Sequence, residues 1–479
     1  MTRAAFHERL AGFPRTPRDW LPWAGLVLPM LLLGVLALRD LGTPSFWRDE
    51  VSSVVFAKGS LGDLLTIVGR DRDDVGLANM ATYYLILHFW LFIGETEARV
   101  RFLSVLFGVA SVVPVYFVAR RLGGWLAAAL AATLFALIPY AIHYSQEARG
   151  YSLAMLIGGG MTWLVLVGVE RRDRTWPWLA YGVIGALGLY VHFFVALIVA
   201  AHGLWLLVTR QIPTWRGMFA AGLPLTLAAA PIPLIIAEFG GEHDWIPPLT
   251  VRRAGLAMEQ LFGGSVQLVA VPVLLLVGAV KYRRDARYWL VAASVVLPIA
   301  GALAISVVKP MFIPRYLIMV LPLVAVGAGV AIVSVRPNVV RAGLAAALLA
   351  TSIIGLPAAY FTTTNIDWRA AGRYLADRVE PGDRIVTQSW RNSPLDYYFR
   401  RAGPPVSLER IGHDAALQGG VEGRVWLALT GMAPDQIDAE VALFAEQYGI
   451  VMTRNFGPRA RLVLLESSTA ASAAVHPAL

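Results

Sequence analysis

The chain has 479 residues, of which 57% are hydrophobic and 15% charged, with a formal charge of +9 and no cysteine. Such an apolar composition excludes a soluble globular protein, and the length excludes a single membrane anchor. Without cysteine there are no disulfides, iron–sulfur ligands or thiol nucleophiles, and the positive charge lies mostly in short loops, where it reports orientation rather than a nucleic-acid-binding stripe.

A basic start (Arg3, Arg9, Arg15, Arg18) precedes the first apolar run, Trp20 to Leu38. No small-x-small cleavage site follows it, so it reads as an uncleaved span. The apolar runs lack period-2 alternation, which makes them helices rather than barrel strands. Arg/Lys clusters at Arg120/Arg121, Arg171/Arg172/Arg174, Arg210/Arg216, Lys281/Arg283/Arg284/Arg287 and Arg336/Arg341 should share the cytoplasm with the N-terminus. Eleven spans achieve this: 20–39, 99–119, 124–142, 150–169, 176–190, 192–209, 216–238, 266–281, 288–307, 314–334 and 342–361. The segment Ala81 to Gly94 is left out, because counting it puts every later basic cluster outside. It is expected as a helix in the outer interface, with His88 and Trp90 suited to that depth.

The expected organisation is therefore an all-α polytopic membrane domain, 1–361, whose outer loop 40–98 carries interfacial helices. A small extracytoplasmic α/β domain, 362–479, follows. It is helix-like over Trp368–Val379 and Pro434–Tyr448, strand-like over Arg384–Thr387, Arg424–Leu429 and Arg461–Leu465, and closes in a disordered Ala/Ser tail.

Three outer segments could carry chemistry. In Phe46-Trp47-Arg48-Asp49-Glu50, two adjacent acids follow the first span. If helical they differ by about 100°, so one acid faces a substrate and the other supports it. Tyr144-Ser145-Gln146-Glu147-Ala148-Arg149-Gly150-Tyr151 joins two spans with no loop to spare, so its charges either anchor helix ends or enter a shared cavity. Lys309 and Arg315, beside Tyr316, are outer-face cations that run against the cytoplasmic bias; a phosphate at the interface would explain them, as would snorkelling to headgroups. Asp71-Arg72-Asp73-Asp74 could hold a divalent cation but reads better as a solvated loop. His243, between Glu242 and Asp244, lacks zinc spacing. His192 reads as a packed histidine, and no Walker or dinucleotide fingerprint is present.

Taken in order, WRDE, TYYLILHFW, EARVRFLSVLFGVASVVPVYFVARRLGG, YSQEARGYSL and FIPRYLIMVLPL resemble the GT-C glycosyltransferase superfamily. The likeness is to the bacterial branch akin to protein O-mannosyltransferases and the aminoarabinose transferase of lipid A, over roughly residues 20–335. It implies a polyprenyl-phosphate sugar donor, a hexose or pentose passed with inversion to a glycan, lipid or protein acceptor, and work at the outer face of a bacterial plasma membrane. Asp49 corresponds to the catalytic base, with Glu50 beside it. Arg149, Lys309 and Arg315 would compensate the donor phosphate. Arg48, Asn79, Tyr83, Tyr84, Glu147, Tyr151 and Tyr316 would line the substrates. A divalent metal is the one cofactor left open. Where many relatives carry a His-Pro-Pro run before the paired tyrosines, this chain reads Asn79-Met80-Ala81-Thr82, so sugar specificity does not transfer.

The main rival is a transporter or flippase of a lipid-linked or small polar substrate. It calls for ionisable groups at mid-depth and two matched halves, whereas the acids here gather at one face. A non-catalytic assembly protein would leave the acid pair and the cations without common purpose, and a glycan ligase with a lipid-diphosphate donor would differ in headgroup.

Overall fold

The computed structural model describes residues 17–66, 78–239, 246–360, 366–387, 393–417 and 423–467. Asp71-Arg72-Asp73-Asp74, the His243 segment and the Ala/Ser tail lie outside them. The chain divides into two compact units that no single cut separates. The first is Met1–Leu41, Gly59–Glu95 and Arg99–Tyr360; the second is Gly42–Lys58, Thr96–Ala98 and Phe361–Leu479.

The first unit is helical. Among the described residues, seven helices are long and apolar enough to cross a membrane: Trp20–Leu38, Glu97–Ala136, Tyr151–Glu170, Trp215–Ala237, Ala286–Val308, Pro314–Ser334 and Asn338–Ala359. The pair Val251–Phe262 and Ser265–Lys281, bent by 76°, makes an eighth if counted as one span. The expected count of eleven is not established. Trp176–Leu189 and Val195–Val208 have 14 residues each, about 21 Å of helix against a core of roughly 30 Å. The expected spans 99–119 and 124–142 are one 40-residue run broken at Gly124. That residue has φ 76°, which only glycine adopts without strain. A short helix, Pro139–Ser145, follows.

The helix Ala81–Trp90 and the 3-10 turn Leu91–Ile93 bury Tyr83, Tyr84 and Leu87 and expose Phe89, Phe92 and Ile93. Helix packing elsewhere depends on close approach at small residues. Gly158, in Tyr151–Glu170, faces the Met319 carbonyl of the 3-10 turn Pro314–Val320 so tightly that a Cβ there would lie 2.3 Å from its oxygen. A buried polar node, His202 with Thr162 at 3.1 Å and Tyr181 at 3.2 Å, ties three helices together.

The second unit is a five-stranded sheet of order β2-β1-β3-β5-β4, with β1 Arg384–Thr387, β2 Glu409–Ile411, β3 Arg424–Thr430, β4 Tyr448–Asn455 and β5 Ala460–Ser467. β1 runs parallel to β2 and β3; β5 is antiparallel to β3 and β4. Alternation along β3 sends Trp426 and Ala428 to one face and Val425, Leu427 and Leu429 to the other. The first face receives Trp368–Ala376 and Pro394–Arg401 through Ala371, Leu375, Leu395 and Phe399. The second receives Pro434–Ala445 through Ile437 and Phe444.

The early residues of this unit are bonded into it. Ser45 Oγ donates to the Ile366 carbonyl at 3.0 Å and accepts from Trp368 N–H at 3.1 Å. Phe46 N–H donates to the Tyr398 hydroxyl at 2.7 Å, and that hydroxyl donates to Glu97 at 2.6 Å. Arg369 pairs with Glu97 at 2.9 Å and reaches the Gly42 carbonyl at 3.2 Å. A topological constraint follows. A lone crossing by Ala81–Ile93 would leave 42–58 and 96–98 on opposite sides of a bilayer, whereas they pack in one α/β unit.

Candidate active site

In the first unit four segments gather a polar cluster. The corner between Pro139–Ser145 and Tyr151–Glu170 closes when Arg149 N–H donates to the Glu147 carbonyl at 2.8 Å. That turn buries the Arg149 guanidinium, leaving the residue 9% exposed. Its Nη1 donates to the Tyr84 hydroxyl at 2.9 Å, and it lies 6.0 Å from the Tyr151 ring centroid. Tyr83, one residue earlier, points elsewhere: its hydroxyl is 3.0 Å from Ser104 Oγ. The two tyrosines therefore divide their work, Tyr84 holding the arginine and Tyr83 the packing of the long helix.

The turn 190–194 brings His192. Asn79 Oδ1 accepts Phe193 N–H at 2.8 Å, and Thr82 bonds to the Tyr190 and Leu187 carbonyls at 3.1 and 2.9 Å. These bonds clamp the turn to the start of the Ala81–Trp90 helix. The His192 ring centroid lies 4.8 Å from that of Tyr316 and 6.5 Å from that of Tyr151. The 3-10 turn Pro314–Val320 contributes Tyr316 and Arg315, whose guanidinium is 5.9 Å from the Tyr316 ring. Burial first, then the charges of Arg315 and Arg149, push His192 down to about 3, so its imidazole is neutral. Tyr144 is held well above the ordinary phenol value, by burial first, with Tyr140, Glu147 and Tyr151 adding and Arg315 opposing.

Glu147 sits with His143. Its Oε1 is 3.2 Å from His143 Nε2, while His143 Nδ1 lies 3.1 Å from the Ala359 carbonyl. A carbonyl only accepts, so Nδ1 is the donor in that contact. Glu147 Oε2 is buried with no hydrogen-bond partner among the described residues. Lys309 caps the Ala286–Val308 helix, half-buried.

Arg48, Asp49 and Glu50 belong to the second unit, where they open the helix Arg48–Ala57. Glu50 is 1% exposed and accepts Trp47 N–H at 3.4 Å, so it caps its own helix. Asp49 is half-buried and Arg48 exposed. Among the described residues no three His, Asp or Glu side chains are grouped to hold a metal ion.

The first unit thus brings together Arg149, Arg315, Tyr84, Glu147, Tyr151 and Tyr316 from the residues singled out in the sequence. It adds His192, His143, Tyr140 and Tyr144. Two guanidinium groups and a neutral imidazole among buried phenols suit an anion, because charge-assisted bonds strengthen where water is scarce.

Known proteins share the architecture that holds this cluster. The structure is similar to that of ArnT from Cupriavidus metallidurans bound to undecaprenyl phosphate, with a TM-score of 0.64 at 14% identity, covering 92% of this chain and 98% of that one. The chain has the GT-C fold. The apo form of the same ArnT gives a TM-score of 0.63 at 14% identity, over 91% of this chain and 97% of that one. The GT-C fold recurs in the archaeal oligosaccharyltransferase AglB from Archaeoglobus fulgidus, in complex with an inhibitory peptide and a dolichol-phosphate. That match has a TM-score of 0.56 at 11% identity, over 92% of this chain and 74% of that one. The dolichyl-phosphate-mannose-protein mannosyltransferase family profile matches residues 78–236, about a third of the chain. No curated protein matches the chain by sequence. The resemblance read from the ordered motifs is borne out at the level of the fold.

Proposed function

We propose that the chain is an integral membrane glycosyltransferase that moves a sugar from a polyprenyl-phosphate donor to an acceptor at the outer face of a bacterial plasma membrane. The observation that carries this reading is the convergence of Arg149 and Arg315 on the buried Tyr84–Tyr151–His192–Tyr316 cluster within a GT-C fold. The ligands named for ArnT and AglB, undecaprenyl phosphate and dolichol-phosphate, support a lipid phosphate on the donor side. The proposed topology has eleven spans, counting the two 14-residue helices and both halves of the run broken at Gly124, with the N-terminus cytoplasmic.

The proposed reaction is a single displacement with inversion. Asp49 takes the proton of the acceptor hydroxyl as that oxygen attacks the anomeric carbon, and the bond from that carbon to the phosphate oxygen breaks. The leaving lipid phosphate gains negative charge, which preorganised cations stabilise more than they stabilise the bound donor. Arg149 and Arg315 fill that role, with Lys309 as a third candidate. Glu50, spent on its helix N-terminus, holds the backbone that presents Asp49. These roles are the same for a glycan, lipid or protein acceptor.

Purified full-length Asp49→Asn, given a polyprenyl-phosphate sugar, should lose about 10²- to 10⁴-fold in transfer while keeping undecaprenyl phosphate binding. Near wild-type transfer removes Asp49 as base. Arg315→Ala should weaken donor binding and leave acceptor binding alone; equal loss for both substrates would make Arg315 structural.

A further inference from the structure

His192 holds an unspent hydrogen bond. Its Nδ1 accepts Phe194 N–H at 3.3 Å, so in the neutral ring the proton is on Nε2. That Nε2 is fully buried and has no hydrogen-bond partner among the described residues. The residue as a whole is 2% exposed. A buried donor without an acceptor is destabilising, and proteins rarely keep one without a purpose. The site is also over-built for mere packing: the turn bearing the ring is clamped by Asn79 and Thr82, and Tyr151 and Tyr316 flank the ring itself.

We propose that the Nε2–H of His192 is a further ligand for the phosphate of the lipid-linked substrate, acting between Arg149 and Arg315. This rests on the reading of those two arginines as donor-binding. Both arginines act electrostatically on the imidazole, so an acceptor arriving at Nε2 enters a field that favours an anion. The uncharged ring adds a directed bond without adding a third positive charge to repel the other two. A sugar phosphodiester carries one negative charge and the free lipid phosphate about −1.5 to −2 at neutral pH. The bond from His192 therefore strengthens as the sugar departs, which is where it helps transfer most.

The test uses the full chain in lipid nanodiscs and two probes, undecaprenyl phosphate and inorganic phosphate, with binding measured for wild type, His192→Phe and His192→Gln. A hydrogen bond to an ionised group corresponds to roughly 10- to 100-fold in affinity, so H192F should weaken undecaprenyl phosphate binding by about that factor. H192Q, which keeps an N–H, should recover part of it. A parallel effect on inorganic phosphate supports recognition of the phosphate group itself; an effect on the lipid alone supports recognition of the headgroup seated by its tail. Undiminished lipid binding by H192F overturns the proposal. So does a lower melting temperature with unchanged affinity, which would mark the ring as packing only. Should H192F fail to fold, imidazole-¹⁵N-labelled wild type decides: the Nε2–H signal, assigned by its loss in H192Q, must shift on adding undecaprenyl phosphate. An unmoved signal sinks the idea. Arg315→Ala reports separately on the underlying reading. Loss there with H192F intact removes the histidine alone, whereas wild-type binding by R315A removes the donor site itself.

Discussion

Gly158→Ala should damage the candidate site from a distance, through packing alone. An added Cβ would lie 2.3 Å from the Met319 carbonyl oxygen and 2.9 Å from the Met319 Cβ. Backbone cannot rotate out of the way, so the Tyr151–Glu170 helix and the Pro314–Val320 turn must separate by about 1 Å to restore ordinary contact. Overpacking of this kind costs about 1–3 kcal/mol. The turn carries Arg315 and Tyr316, and the helix opens at Tyr151, just after the corner that holds Arg149, so the same displacement pulls the cations apart. Misplacing a positioned group by about 1 Å can cost on the order of 10²-fold. Thermal melting and undecaprenyl phosphate binding of the purified protein measure the two effects. Gly160→Ala, two residues on, is the control: nothing lies within 4 Å of its added Cβ, and helix propensity gains up to about 1 kcal/mol. If G158A melts and binds lipid phosphate as wild type does, the close approach seen here does not set the cation geometry.

Tyr398→Phe should cost the second unit about 1–3 kcal/mol, because it strips the buried Phe46 N–H of its acceptor and Glu97 of a donor. Faster proteolysis within residues 42–58 would register it, and an unchanged cleavage pattern would contradict it. His413 gives the second unit a pH dependence. Its hydrogen bond to Glu440 at 2.9 Å raises its affinity for the proton, burial opposes, and Asp414 adds. A raised folded-state value means the contribution is complete below the ordinary histidine range and is lost as pH rises through the raised value. The pair is partly exposed, so the effect should be small. Glu440→Gln should flatten that part of the melting-temperature profile, and an unaltered slope would refute the assignment.

What could be read in advance depended on whether the signal was local. β1 occupies Arg384–Thr387 as expected, since a short apolar run after Pro381-Gly382-Asp383 needs no distant information. β2 escaped notice because Glu409–Ile411 is a largely exposed edge with no alternation. The start of β4 was hidden because the helix expected to run to Tyr448 stops at Ala445, and exposed Ile450 and Val451 look unlike a core strand. Arg149 stands out because its segment joins two apolar runs with no loop to spare, and Arg315 because a cation on the expected outer face breaks the usual charge bias. His192 does not, for its significance arises from Phe194 N–H and from arginines dozens of residues away. The capping role of Glu50 was masked by Trp47, which stands where a serine or threonine would announce a capping box.

The bonds from Gly42, Ser45 and Phe46 to Arg369, Ile366, Trp368 and Tyr398 make the end of the chain a foundation for its beginning. Removing everything after Tyr360 would unseat the helix that bears Asp49, so an inactive truncation would say nothing about a separate job for the sheet. The same bonds govern chimaeras. A borrowed C-terminal module would need its own matching 42–58 loop to travel with it, since those two pieces of sequence are halves of a single graft.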